Sequence, residues 1–189
     1  MRLAKPRFTP LTDAEMNDEQ NEVLAAMRAR RDVSNIFRTL ARAPKALKGF
    51  LAWGEYVLSK RNDLPPRERE IVILRIGYLC RSGYEWMQHV RIGKGVGLTD
   101  AEVAQIKQGP DAPGWSAADK ALLQAADELH HDHFITDATW KALAAHFTDK
   151  QRMDVVFTAG NYTQVCMMLN SFGVQLDEGM ILDPDLRHI

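Results

Sequence analysis

The sequence predicts an all-α protein, and three observations carry that expectation. Helix-start wording recurs almost verbatim, at Thr12-Asp-Ala-Glu15, Thr99-Asp-Ala-Glu102 and Thr136-Asp-Ala-Thr139. Prolines stand where helices begin, at Pro44 and at the pair Pro65-Pro66. Alternating apolar and polar runs of the kind that build strands are scarce.

Each element follows from local chemistry. A threonine at the N-cap accepts from the free amides of the first turn, and a glutamate three residues on completes a capping box at Thr12 and at Thr99. Proline at the first helical position gives up only an amide that has no partner there. Helices are therefore expected near 44–60 and 65–80. Gly83 then interrupts, a shorter helix carries Glu85 and His89, and Gly93, Gly95 and Gly97 end it ahead of the Thr99 start. Gly109-Pro110 to Gly114 reads as a loop, and helices near 116–132, 136–146 and 148–172 complete the array. Beneath this lies a weak repeat: Leu64 to Gly77 can be laid on Phe147 to Gly160, with Arg69 over Arg152 and Gly77 over Gly160. Two pseudo-symmetric halves of one bundle are expected, with superposable helices over 64–80 and 147–163. Met153 stands in the second copy where the first has Glu70, so only the first half carries the acid.

Composition narrows the setting. A chain of 189 residues fits one domain, taken as 1–189. Apolar residues are 46% and charged residues 26%, and no apolar run approaches the length of a membrane span. The net charge of −1 provides no field to attract nucleic acid or an anionic membrane. The short basic run Arg28-Ala-Arg-Arg31 reads as a solvated helix face. No apolar segment follows Met1-Arg-Leu-Ala-Lys-Pro6, so a cytoplasmic location is expected. Cys80 and Cys166 are too few for a disulfide framework, and both are expected as buried thiols without a partner.

The chemistry concentrates between Glu70 and His89. Glu85 and His89, four apart, share one helix face, and a carboxylate beside an imidazole raises the histidine pKa. Glu70 sits among Ile71, Val72 and Leu74, where an unpaired carboxylate would be costly, so it pairs with arginine or serves a site; the site is favoured. Tyr84 and Trp86 are candidate pocket walls. Glu85 has a competing role, because Ser82-x-x-Glu85 is also a capping-box pattern. In His130-His131-Asp132-His133, two histidines three apart could share a face, but a helix end also favours histidine and no fourth ligand is apparent. No metal is expected there. Ser82 lacks a nucleophile elbow, and Asn161 and Tyr162 read first as buried hydrogen-bonding groups and second as pocket residues.

The ordering of these residues resembles the carboxymuconolactone decarboxylase and alkylhydroperoxidase D superfamily. In its peroxidase branch the pattern is Glu, then Cys-x-x-Cys-x-x-x-His; the matching positions here are Glu70, Ser82, Glu85 and His89. Both redox cysteines are missing, and Cys80 lies two residues out of register. The wording Tyr84-Glu85-Trp86-x-x-His89 is similar to non-peroxidase members. Flanking segments from Asn35-Ile-Phe-Arg-Thr-Leu-Ala41 to Gly160-Asn-Tyr162 extend the likeness, with a core motif over 64–97 and the second repeat over 147–175. The resemblance implies a cofactor-free, lactone-decarboxylase-type enzyme acting by proton transfer on a small organic acid or lactone. Glu70, Glu85 and His89 would be catalytic, Tyr84 and Trp86 would hold substrate, and the chain would assemble as a homo-oligomer, a trimer or hexamer. Two alternatives stand beside it: an alkylhydroperoxidase-type antioxidant enzyme, and a non-catalytic binder of small ligands.

Overall fold

The computed structural model describes residues 1–29 and 33–187, so Arg30 and Arg31 of the basic run lie outside the described residues. Those residues form nine α-helices and no strand: α1 (Asp18–Arg28), α2 (Asn35–Leu40), α3 (Pro44–Leu58), α4 (Pro66–Leu79), α5 (Gly83–Gly95), α6 (Asp100–Gln108), α7 (Ala117–His131), α8 (Asp137–Ala144) and α9 (Asp149–Phe172). No helix among them is long and apolar enough to cross a membrane.

The starts follow the capping chemistry. Thr99, Ser116, Thr136 and Thr148 each accept a first-turn amide, and capping boxes close at Thr99 and Thr148. Pro44 and Pro66 occupy first-turn positions. One start differs. Thr12 and Glu15 do form a capping box, but it caps only the 3-10 turn Asp13–Glu15. The α-helix begins later, where Asn17 and Gln20 cap each other's amides.

Helix α4 is the axis of the bundle. Every residue from Arg69 to Gly77 is buried, because α5, α7 and α9 pack around it on different sides. Ile71, Val72, Ile73, Leu74 and Ile76 are fully buried, each contributing about 1.5–3 kcal/mol of transfer free energy. A helix enclosed in this way carries apolar residues all round rather than in a stripe. A smaller cluster of Leu11, Met16, Leu24, Val33, Ala41 and Leu47 ties α1 and α2 to α3. Phe37, Leu40 and Phe50 touch both clusters.

The two repeat segments begin alike, since α4 starts at Pro66 and α9 at Asp149, in the register of the alignment. They end differently. After Cys80 the chain turns through Arg81 at φ 52°, with the Ser82 amide bonding back to the Gly77 carbonyl, and α5 doubles back against α4. In the second copy α9 runs on to Phe172 before Gly173 makes the same kind of turn.

Three buried charges sit on α4: Arg69, Glu70 and Arg75. Arg75 crosses to α7, where it grips Asp127 at 2.5 and 2.9 Å, and donates to the Ile106 and Lys107 carbonyls that end α6. Gly109 makes room for that guanidinium: a Cβ there would stand 2.6 Å from Arg75 Nη2, on a backbone at φ 94°, ψ −159° that only glycine adopts freely. Gly109→Ala is expected to lower stability by about 2–4 kcal/mol, combining backbone strain with crowding of the arginine. Denaturant unfolding of both proteins checks this; a loss under ~1 kcal/mol would refute it.

Candidate active site

Two helices bring three ionisable groups to one point. Glu70 projects from α4, and Glu85 and His89 project from α5, one turn apart. All three are nearly sealed from solvent, at 1%, 4% and 6% exposure. His89 Nδ1 lies 2.7 Å from Glu70 Oε2 in a well-aligned hydrogen bond. On the other side of the ring, Nε2 comes within 3.0 Å of Glu85 Oε1 without forming an aligned hydrogen bond, and among the described residues Oε1 has no hydrogen-bond partner. Sequence spacing pointed to Glu85 as the partner of His89; the aligned bond goes to Glu70. Glu70 thus pairs with histidine rather than arginine.

Burial alone would push the His89 pKa down, but the two carboxylates outweigh it and hold it up at about 10. The imidazole therefore carries both protons at neutral pH. This fixes the sign of a stability effect. A group whose folded pKa exceeds its unfolded value, here about 6.5, contributes fully below that value. The contribution declines as pH rises and is gone beyond about 10. Stability should therefore fall by up to about 1.4 kcal/mol per pH unit between pH 7 and 10. Melting curves of the wild type and His89→Gln check it, because the variant should lack this part of the slope; parallel pH profiles would refute it.

The group opens on a cavity of about 550 Å³. Its walls come from α1, α2, α3, α5 and α9, and include Tyr84, Glu85, Gln88, His89, Asn161 and Tyr162, while Glu70 stands behind His89 and out of the lining. The Tyr162 ring meets His89 edge-on, with centroids 4.8 Å apart. Asn161 Oδ1 is buried without a partner among the described residues. The sequence favours a buried hydrogen-bonding role for both over a pocket role; the structure buries both and also puts both in the cavity lining. The signal available was their place at the end of the repeat, matching the turn that leads into α5.

The candidate wall residues divide. Tyr84 lines the cavity, and its hydroxyl donates to Asp177 Oδ2 at 2.9 Å. Trp86 does not line it. One residue beyond Glu85 the helix has rotated by about 100°, and the indole lies on the opposite face against Tyr78, with Nε1–H donating to Asp183 Oδ2. Asp177 also accepts from Gln88 and from the Asn35 amide, so the segment after α9 clamps α5.

The Ser82-Glu85 capping box does not form. Ser82 makes no cap bond, and its Oγ is buried without a partner among the described residues. The cysteines also depart from expectation. Cys166 is buried, but Cys80 is only partly so and has neighbours: His130 Nδ1 lies 3.6 Å from its Sγ, and a hydrogen bond with the Cys166 thiol lowers its pKa. His133 turns to the Leu129 carbonyl, and among the described residues no three metal-ligating side chains gather.

The sequence of residues 44–128 matches the carboxymuconolactone decarboxylase family. A comparison with curated proteins finds no match. Among solved structures, an uncharacterised peroxidase-related protein with an alkylhydroperoxidase AhpD core from Ralstonia eutropha JMP134 is similar at 21% identity and TM-score 0.78, covering 92% of this chain and 93% of that one. A peroxidase-related protein from Silicibacter sp. TM1040 is similar at 16% identity and TM-score 0.72, over 98% and 93% of the two chains. The debrominase Bmp8, solved with 2,3,4-tribromopyrrole, is similar at 11% identity and TM-score 0.75, over 93% and 94%. Identities this low establish a shared fold and nothing finer. Residues 44–128 thus carry the carboxymuconolactone decarboxylase family match, and the helical fold around them is shared with structures of alkylhydroperoxidase D-like, peroxidase-related proteins.

Proposed function

We propose that the cavity beside His89 is the active site of a cofactor-independent enzyme of the lactone-decarboxylase type, which moves protons on a small lactone or organic acid. One observation supports the reading: an imidazole held between two buried carboxylates, with His89 and Glu85 both in the cavity lining. In this arrangement Glu85 is the base, since it is the carboxylate of the pair that lines the cavity. His89 is the acid that returns the proton, and Glu70 orients the ring and sustains its charge. Decarboxylation and double-bond isomerisation both pass through a dienolate: loss of CO₂ leaves that electron pair and needs only the acid that protonates carbon, whereas isomerisation also needs the base that removes a proton; the carboxy-lyase reaction is the form that the family match favours.

The test is to incubate the protein with a panel of unsaturated lactones and lactone acids in D₂O and follow products and deuterium uptake by NMR. Deuterium uptake or product formation that requires Glu85 supports the reading; a ligand that stabilises the protein with neither points instead to a non-catalytic binder. The Cys80–Cys166 contact motivates one control. Peroxide turnover is expected at background, because burial holds the Cys166 thiol well above its ordinary pKa and keeps it protonated. Hydroperoxide reduction that disappears in Cys80→Ser or Cys166→Ser would overturn this.

A further inference from the structure

We infer that the substrate carries an extended apolar tail, which lies against α1, α2 and α3 while its head group reacts beside His89, and that Gly54 on α3 sets the room for that tail. This deepens the reading of the site given above and rests on it.

The first argument is size. A non-hydrogen atom of a ligand fills about the space of a water in the liquid, ~30 Å³, so the cavity of about 550 Å³ has room for roughly 15–20 of them. A lactone ring bearing one carboxylate uses only about half of that room.

The second argument is how the lining divides. Glu85, Gln88, His89, Asn161 and Tyr162 stand on α5 and α9. The walls from α1, α2 and α3 are mainly apolar, with Val23, Met27, Ile36, Phe37, Phe50 and Leu51 in them. Their polar members are Ser34, at the start of α2, and Glu55, which is exposed and pairs with Arg61 at 3.1 Å. Arg91 on α5 is likewise exposed. Leu58 and Ile92 are exposed at 46% and 38% and also belong to the lining, so apolar surface continues to the mouth. Water against such walls finds few partners, and hydrocarbon that displaces it gains affinity.

The third argument is Gly54. Phe50, Leu51, Gly54, Glu55 and Leu58 recur at the spacing of one helix face, and that face of α3 lines the cavity with Gly54 midway along it. Glycine inside a helix is less stable than alanine. Packing does not demand it here, because a Cβ at Gly54 would meet nothing within 4 Å. Gly93 is the contrast: a Cβ there would stand 2.8 Å from the Leu98 side chain. The side chain missing at Gly54 leaves open a space that belongs to the cavity.

The probes are β,γ-unsaturated γ-lactones with a methyl, a butyl or a hexyl tail on the γ-carbon. Calorimetry measures binding, and NMR in D₂O measures Glu85-dependent exchange. Each buried methylene is worth about three- to fourfold in affinity, so the hexyl lactone is expected to bind at least ~30-fold more tightly than the methyl one. Gly54→Leu is expected to weaken the hexyl lactone by at least ~10-fold and the methyl lactone by less than ~3-fold. Gly54→Ala is expected to weaken the hexyl lactone about threefold, with a melting temperature no lower than that of the wild type. Affinity that does not rise with tail length, failure of all three lactones to bind, or a folded Gly54→Leu protein that keeps the hexyl preference would overturn the inference. If Gly54→Leu does not fold, undiminished hexyl binding by Gly54→Ala overturns it instead. Glu85-dependent exchange on the methyl lactone with no dependence on tail length would leave the proton-transfer reading standing without the tail. A rise with tail length that Gly54→Leu abolishes, with no Glu85-dependent exchange on any lactone, would remove that reading and leave an apolar binding site.

Discussion

Glu85→Gln is expected to cut turnover by about 10²–10⁴-fold, the range lost when a positioned general acid or base is removed. The substitution keeps the shape of the side chain and leaves the aligned Glu70–His89 bond in place, so the fold should persist. Its effect should fall on the catalytic rate more than on substrate affinity, because the lost base acts in the transition state. Glu70→Gln offers the contrast. Glu70 stands outside the cavity lining and acts through the imidazole, so its replacement should chiefly move the pH profile, shifting the alkaline limb to lower pH as the His89 pKa falls. Steady-state kinetics of both variants across pH 6–10 distinguish the roles. A Glu85→Gln enzyme within threefold of wild type would remove Glu85 as the base, and an unshifted Glu70→Gln profile would remove Glu70 as the group that sustains the charge on His89.

Arg75→Met is expected to destabilise the protein by about 3–5 kcal/mol, the usual cost of stranding one member of a buried ion pair. Three groups lose a donor at once: Asp127 and the terminal carbonyls of α6 at Ile106 and Lys107. For a chain of this size the melting temperature should drop by roughly 6–20 °C. Adding Asp127→Asn should recover part of the loss, because the stranded charge is then gone. A single variant costing less than ~1 kcal/mol, or a double variant no better than the single, would show that the pair does not brace α4 against α6 and α7.

The sequence disclosed the frame of this protein more fully than the details of its site. Helix starts at Pro44, Pro66, Thr99, Thr136 and Asp149 were legible because capping chemistry is local. The Thr12 box misled because a cap specifies where a turn begins, and the length of the helix that follows depends on tertiary packing. The Glu85 and His89 pair was legible as an i, i+4 face, but the aligned bond to Glu70 joins two helices and has no local signature. Trp86 was misassigned because an aromatic residue next to a site residue can face either way. What settles its direction is Asp183, far along the chain. Asn161 and Tyr162 show the same limit: their polarity is visible in the sequence, whereas a place in the cavity wall depends on what packs around them.

The clamp on α5 bears on how the molecule comes together in time. Tyr84, Trp86 and Gln88 are fastened by Asp177 and Asp183, at separations of 93, 97 and 89 residues. Contacts that close such long loops form late, after helices with local signals have appeared. Helix α5, and His89 with it, should therefore reach its final seat only after the chain beyond α9 has docked. The buried proton between α4 and α5 is then among the last features of the fold to be secured.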